Sequence, residues 1–193
     1  MAKVLFVKAD EKRKRVQIGI LEQDSSSILT VKESTYISIG CPARDDEIGD
    51  VDLSSLKFED ETFRALKKAV SLLADVDRSR RELKAKLVQK GFSAEAIDIA
   101  LDVCERREYL NEARQLERLI EREANRKLRG RYYIKRKLMA KGYSSRDIDR
   151  VTDALLEREE IDFYRNFDIL CEKKCAVDES DVTALKYKYG YKI

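Results

Sequence analysis

Apolar positions along this chain change period near residue 58, from alternation to a helical stripe, and the helical pattern then repeats. Residues 2–9 (AKVLFVKA) and 15–22 (RVQIGILE) are rich in Val, Ile and Leu, are separated by a charged link, and predict two strands. Asp24-Ser25-Ser26-Ser27 has turn chemistry, and residues 28–31 predict a third strand running antiparallel to the second. Residues 33–39 fit either a strand or one helical turn lying across the sheet. Gly40, Pro42 and Asp45-Asp46-Glu47 break the pattern, and residues 48–53 are expected to add a short edge strand.

Between 62 and 74, Leu66, Ala69, Val70 and Leu73 share a helical stripe. Ser79 stands three residues before Glu82, a capping box in which hydroxyl and carboxylate each satisfy a free amide at a helix start. The helix that follows has two apolar anchors, Leu83 and Leu87, and ends at Lys90-Gly91-Phe92, where glycine closes it in a left-handed conformation. Ser93 then caps a helix carrying Ile97, Ala100, Leu101 and Cys104.

The same order recurs. Asn111 opens a helix with Leu116, Leu119, Ile120 and Ala124 inward, and Gly130 marks a break. Ile134 and Leu138 anchor a middle helix ending at Lys141-Gly142-Tyr143, and Ser144 caps a last helix with Ile148, Val151 and Leu155. Gly91 and Gly142 lie 51 positions apart, and the same shift carries Ile97 to Ile148, Ala100 to Val151 and Cys104 to Leu155. That spacing is in the range of helical repeats. A third copy starts at Asp162 with Phe163, Phe167, Leu170 and Cys171, continues in a shorter helix with Val182 and Leu185, and closes at Gly190-Tyr191. Gly190 follows Gly142 by 48 positions, so the register slips and this copy reads as a partial cap. The expected fold is mainly α: tandem three-helix repeats in an elongated curved array, preceded by a small N-terminal β-sheet. The expected division is residues 1–58 for the sheet, 59–110 and 111–160 for the repeats, and 161–193 for the truncated third.

Composition narrows the function. Of 193 residues 40% are charged, with one Pro and neither Trp nor His, which suits long charged helices better than an enzyme pocket. There is no His for general-base work, no P-loop and no Gly-rich dinucleotide turn after a strand, so neither catalysis nor a cofactor is expected. Acids alternate with bases, as in Glu117/Arg118 and Glu121/Arg122, the pattern of surface ion pairs. Cys41, Cys104, Cys171 and Cys175 are too few for a disulfide scaffold; Cys171 and Cys175, four apart, read as buried structural residues and not as a zinc site. With no apolar run long enough to span a bilayer and no signal peptide, a cytoplasmic monomer without membrane contact is expected.

Net charge is only +3, so affinity for a polyanion would have to come from how charge is distributed. Arg126, Lys127, Arg129, Arg131, Lys135, Arg136, Lys137 and Lys141 fall in one stretch with no Asp or Glu, interleaved with Tyr132 and Tyr133. Arg78, Arg80, Arg81, Lys84 and Lys86 form a weaker echo one repeat earlier, and stacked repeats would set both along one face. Such a stripe attracts phosphate without sequence preference, or meets acidic patches on a protein. Of the two adjacent tyrosines at least one is expected to pack inward, and Gly91 and Gly142 are expected to terminate helices and do nothing more.

These residues resemble the RecX family. Asp77-Arg78-Ser79-Arg80-Arg81-Glu82-Leu83 with Lys90-Gly91-Phe92 is similar to that family's first-repeat signature. Tyr109-Leu110-Asn111-Glu112 is similar to the segment between repeats, with Glu112 where Asp is usual, and Gly130, Ile134, Leu138, Lys141, Gly142 and Tyr143 resemble the second-repeat signature. The resemblance covers roughly residues 60–160. It implies a cytoplasmic protein that binds the RecA filament along its groove and suppresses recombinase and co-protease activity, with weak, non-specific contact to single- or double-stranded DNA through the basic face. The other reading is a regulator that binds nucleic acid directly through helix-turn-helix-like repeats. The middle helices offer mostly Lys and Arg, which suit backbone contact better than base readout.

Overall fold

The computed structural model describes residues 1–23, 25–174 and 178–191. The chain divides into two compact units, Met1–Leu72 with Lys86–Arg106, and Leu73–Ala85 with the chain from Arg107 onward. The fold is mainly α and begins with a small antiparallel sheet.

In the first unit β1 (Ala2–Asp10), β2 (Arg15–Glu22) and β3 (Ser25–Lys32) pair in the sheet order β3-β2-β1-β4, with β4 (Glu47–Ile48) on the far edge. Alternation sends Val4, Val16, Ile18, Ile20, Leu29 and Val31 to one face, where they pack with Leu53 and Leu56. The serine-rich segment is strand and not turn: Ser25, Ser26 and Ser27 pair with Glu22, Leu21 and Ile20. Residues 33–39 resolve as a helix, α1 (Glu33–Ser38). The edge strand expected over 48–53 stops at Ile48, because α2 (Asp50–Asp75) begins almost at once. Asp50 and Asp52 favour a helix start by opposing its positive end, and Leu53, Leu56 and Asp60 are buried at helical spacing. Carboxylates on α2 also satisfy the open edge of β3: Asp60 accepts from the Thr30 amide at 2.8 Å and Glu59 from the Lys32 amide at 2.8 Å. The α4 helix (Ala94–Arg106) buries Ala96, Ile97, Ala100, Leu101 and Cys104 as its periodicity predicts. Its start is tied to α2, since the amide and hydroxyl of Ser93 both donate to Glu61, at 2.7 and 3.0 Å.

The α3 helix (Arg80–Gln89) contributes its first half to the second unit. There α5 (Glu112–Glu121) runs into a π-helical turn (Arg122–Arg126), followed by α6 (Arg131–Ala140), α7 (Ser145–Glu157), α8 (Phe163–Lys174) and α9 (Glu179–Tyr189). Asn111 and Ser144 cap α5 and α7 through the amides of Arg114 and Asp147. Leu116, Leu119, Ile120, Ile134, Leu138, Ile148 and Leu155 form the core of α5–α7, and Tyr143 joins it by donating to Gln115 at 2.9 Å. Leu128, Phe167, Leu170 and Tyr191 form a second cluster with α8 and α9.

The capping box at α3 is only half realised. The Glu82 amide donates to the Ser79 hydroxyl at 3.1 Å, but the Glu82 carboxylate turns to Arg78, and the Arg80 amide donates to Glu112 at 2.7 Å. The Ser79 hydroxyl in turn donates to the Lys141 carbonyl at 2.6 Å, so the start of α3 is bonded to the end of α6. That contact corrects the reading of Gly142 as a terminator alone. Both Gly91 and Gly142 are left-handed, at φ 82° and 91°. A Cβ at Gly142 would stand 2.9 Å from the Ser79 hydroxyl and 3.0 Å from Arg81 Cβ, whereas one at Gly91 would meet nothing within 4 Å. Gly91→Ala is therefore expected to cost about 1 kcal/mol from backbone strain, and Gly142→Ala about 2 kcal/mol from strain and overpacking, measured by urea unfolding.

Candidate partner and nucleic-acid interface

The basic stretch does not present one uniform face, because its members do different work. Ile134 and Leu138 fix which side of α6 is buried. On one flank Arg131 and Lys135, one turn apart, meet acids at the same spacing on α7. Arg131 pairs with Asp153 at 2.6 Å and Asp149 at 3.6 Å, and Lys135 also pairs with Asp149. The hydrogen bond from Lys135 holds the Asp149 carboxyl below its usual range, and that from Arg131 to Asp153 raises the guanidinium further. On the other flank Lys127 and Lys137 converge on Glu123, each at 2.8 Å. The π-helical turn places Glu123 inward, with 1% of its side chain exposed. Burial pushes its carboxyl up, but hydrogen bonds from Lys127 and Lys137 outweigh this and leave it below the usual value.

Arg129 lies between two rings, 4.4 Å from the centroid of Tyr133 and 4.5 Å from that of Tyr189. Its Nε is buried without a hydrogen-bond partner. Tyr133 is thus the inward tyrosine of the pair, while Tyr132 is 51% exposed. Arg126 and Arg136 are exposed and Lys141 is half-buried, and none has a carboxylate within 4 Å among the described residues. The first-repeat echo divides likewise. Arg78 stands 3.6 Å from Glu82, Arg80 and Lys84 are half-buried, and Arg81 is exposed beside Gly142, next to Lys141. Lys86 is exposed in the first unit.

Beside the exposed part of α6 is a cleft of about 470 Å³ lined by Tyr132, Tyr133, Arg136, Lys186, Tyr187 and Lys188, with Tyr187 92% exposed. It exists because the carbonyl end of α9 meets the amide end of α6: the Gly130 amide donates to Tyr189 at 2.8 Å and the Tyr132 amide to Gly190 at 3.2 Å. The sequence reading missed α9 as a source of cations for this face. Three lysine and tyrosine positions in Lys186-Tyr187-Lys188 were the available signal.

Among the described residues no group of three or more Cys, Asp or Glu could hold a metal, and no helix is long and apolar enough to cross a membrane. Cys104 is buried and Cys171 half-buried, while Cys41 is exposed; the expected Cys171/Cys175 pair cannot be described, since Cys175 lies outside the described residues.

Residues 65–104 match the family model of the RecX first three-helix domain, spanning the end of α2 through most of α4. In this stretch the chain is similar to RecX proteins. Its fold matches a crystal structure of regulatory protein RecX over 100% of this chain and 95% of that one, with a TM-score of 0.71 at 18% identity. RecX from Lactobacillus salivarius is matched over 68% of this chain and 97% of its own, with a TM-score of 0.47 at 12% identity.

Proposed function

We propose that this protein acts as a RecX-type regulator, which binds the groove of a RecA–DNA filament and inhibits or modulates recombinase and co-protease activity. The match of residues 65–104 to the RecX first three-helix domain carries this reading, and the exposed cations of the second unit support it. A nucleoprotein filament offers both phosphates and acidic protein patches to such a surface. Repeats over residues 59–110 and 111–160, with a shortened third over 161–193, would supply several weak contacts that act together, without the protein itself being an enzyme. The protein acts in the cytoplasm as a monomer, by occluding the groove from duplex DNA or repressor substrates.

Of the residues that the sequence nominates, Arg78, Lys127, Arg131, Lys135 and Lys137 already have carboxylate partners, and Arg129 is held by stacking. Reversing those charges would disturb the fold as well as any interface. Arg126, Arg136 and Lys141 are the cleaner probes. Arg126→Glu, Arg136→Glu and Lys141→Glu together are expected to weaken filament binding by roughly ten- to a hundredfold at low salt, and less as salt rises. Strand exchange and ATP hydrolysis by the cognate recombinase, with substoichiometric wild-type protein, test the function itself. Rates that do not change would dismiss the reading, and sequence-selective binding to naked duplex would replace it with direct DNA regulation.

A further inference from the structure

We propose that the first unit carries a second cationic surface, separate from α6, that binds nucleic-acid phosphates directly and without the recombinase. Arg64, Lys67, Lys68 and Ser71 follow one another at helical spacing, so they occupy one face of α2. With Lys90 and Phe92 they line a cleft of about 430 Å³ that no carboxylate lines. Arg64 is fixed by Asp60 at 2.8 Å, but Lys67, Lys68 and Lys90 make no ion pair within 4 Å among the described residues.

Lys67 also lines a neighbouring cleft of about 600 Å³ at the β1–β2 hairpin, together with Lys8, Lys12, Arg13 and Arg15. Only Asp10 and Glu11 oppose those cations there. The Arg15 guanidinium carbon lies over the Phe63 ring, 3.7 Å from its centroid, which sets its position beside the strand. Because Lys67 lines both clefts, the two cationic clefts adjoin on α2, one reaching the hairpin and the other the end of α3.

A small anion would need one cleft; a track of this kind fits a chain of charges. Lysine predominates, as a compact, strongly hydrated charge suited to phosphate neutralisation and not to bidentate recognition. Protein interfaces are depleted in lysine, whereas here Lys8, Lys12, Lys67, Lys68 and Lys90 outnumber Arg13, Arg15 and Arg64. The observations therefore favour a nucleic-acid backbone over an acidic protein. This inference does not depend on the filament reading.

The test uses the full chain, fluorescently labelled oligothymidylate and a mixed-sequence duplex, with anisotropy measured across a salt series and no recombinase present. Wild-type protein is expected to bind both, with affinity falling linearly in log–log form. Lys67→Ala, Lys68→Ala and Lys90→Ala together should reduce the single-strand slope by about 2 and weaken binding at least tenfold at low salt. Lys67→Gln alone, at an exposed site that leaves folding intact, should reduce the slope by about 0.7. An unchanged slope in both variants overturns the proposal, as does wild-type protein that binds neither probe, or that prefers polyglutamate to the oligonucleotide. Since the recombinase is absent, these results and those of the strand-exchange assay can fail separately.

Discussion

Alanine in place of Gly130 is expected to destabilise the second unit by about 3 kcal/mol and to loosen α9 in particular. Gly130 has an ordinary extended backbone, at φ −77° and ψ 164°, so the requirement is for space. A Cβ there would stand 2.3 Å from the Gly190 oxygen, 2.5 Å from its carbonyl carbon and 2.7 Å from the Tyr191 nitrogen. All three are backbone atoms, which cannot rotate away. Relief means moving residues 189–191, and that breaks the bonds from Gly130 to Tyr189 and from Tyr132 to Gly190. It also pulls on Tyr191, whose ring lies 4.8 Å from that of Phe167 and edge-on to Phe163 at 6.4 Å. Hydrogen exchange should show α9 opening more often while amides of the sheet keep their protection, with a lower urea midpoint for the second unit. If α9 exchanged at the wild-type rate, the close approach would not be what holds it.

Glu123→Ala should have a comparable effect, about 3 kcal/mol, at the low end for a broken buried ion pair because its lysine partners are partly exposed. Removing the carboxylate leaves Lys127 and Lys137 facing each other with nothing between them. Since the folded-state carboxyl titrates below its unfolded value, its contribution is fully present above the unfolded value of about 4.3 and is lost as pH falls through the lower folded one. Wild-type stability should therefore decline with acid in this region, and the variant should show a shallower decline. Denaturant midpoints across that pH range would reveal it, and parallel curves for the two proteins would count against the pairing.

The helical core was legible because each anchor repeats: Ile134 and Leu138, or Ile97 and Leu101, are buried where their spacing puts them. The beginning of α2 was not, since Ile48 through Leu53 also fits alternation and only the sheet's need for a cover, met by Leu53 and Leu56, selects the helix. The charges were legible as a count but not as an arrangement. Residues 126–141 contain no acid, yet Glu123 lies three residues before the stretch and Asp149 and Asp153 lie on the next helix. Only folding brings those carboxylates to Lys127, Lys137, Arg131 and Lys135, and it leaves Arg126, Arg136 and Lys141 as the unneutralised remainder. The cationic surface on α2 was missed for the opposite reason, since Lys67, Lys90 and Lys12 are scattered along the chain and meet only in space.

The meeting of α9 with α6 also sets an order on synthesis. The amide of Tyr132 waits for a carbonyl at residue 190, so while the nascent chain is still growing the basic helix begins with an unmet donor and an empty seat beside it. Only when the last turn of α9 has left the ribosome does that helix acquire the neighbour that closes its first turn.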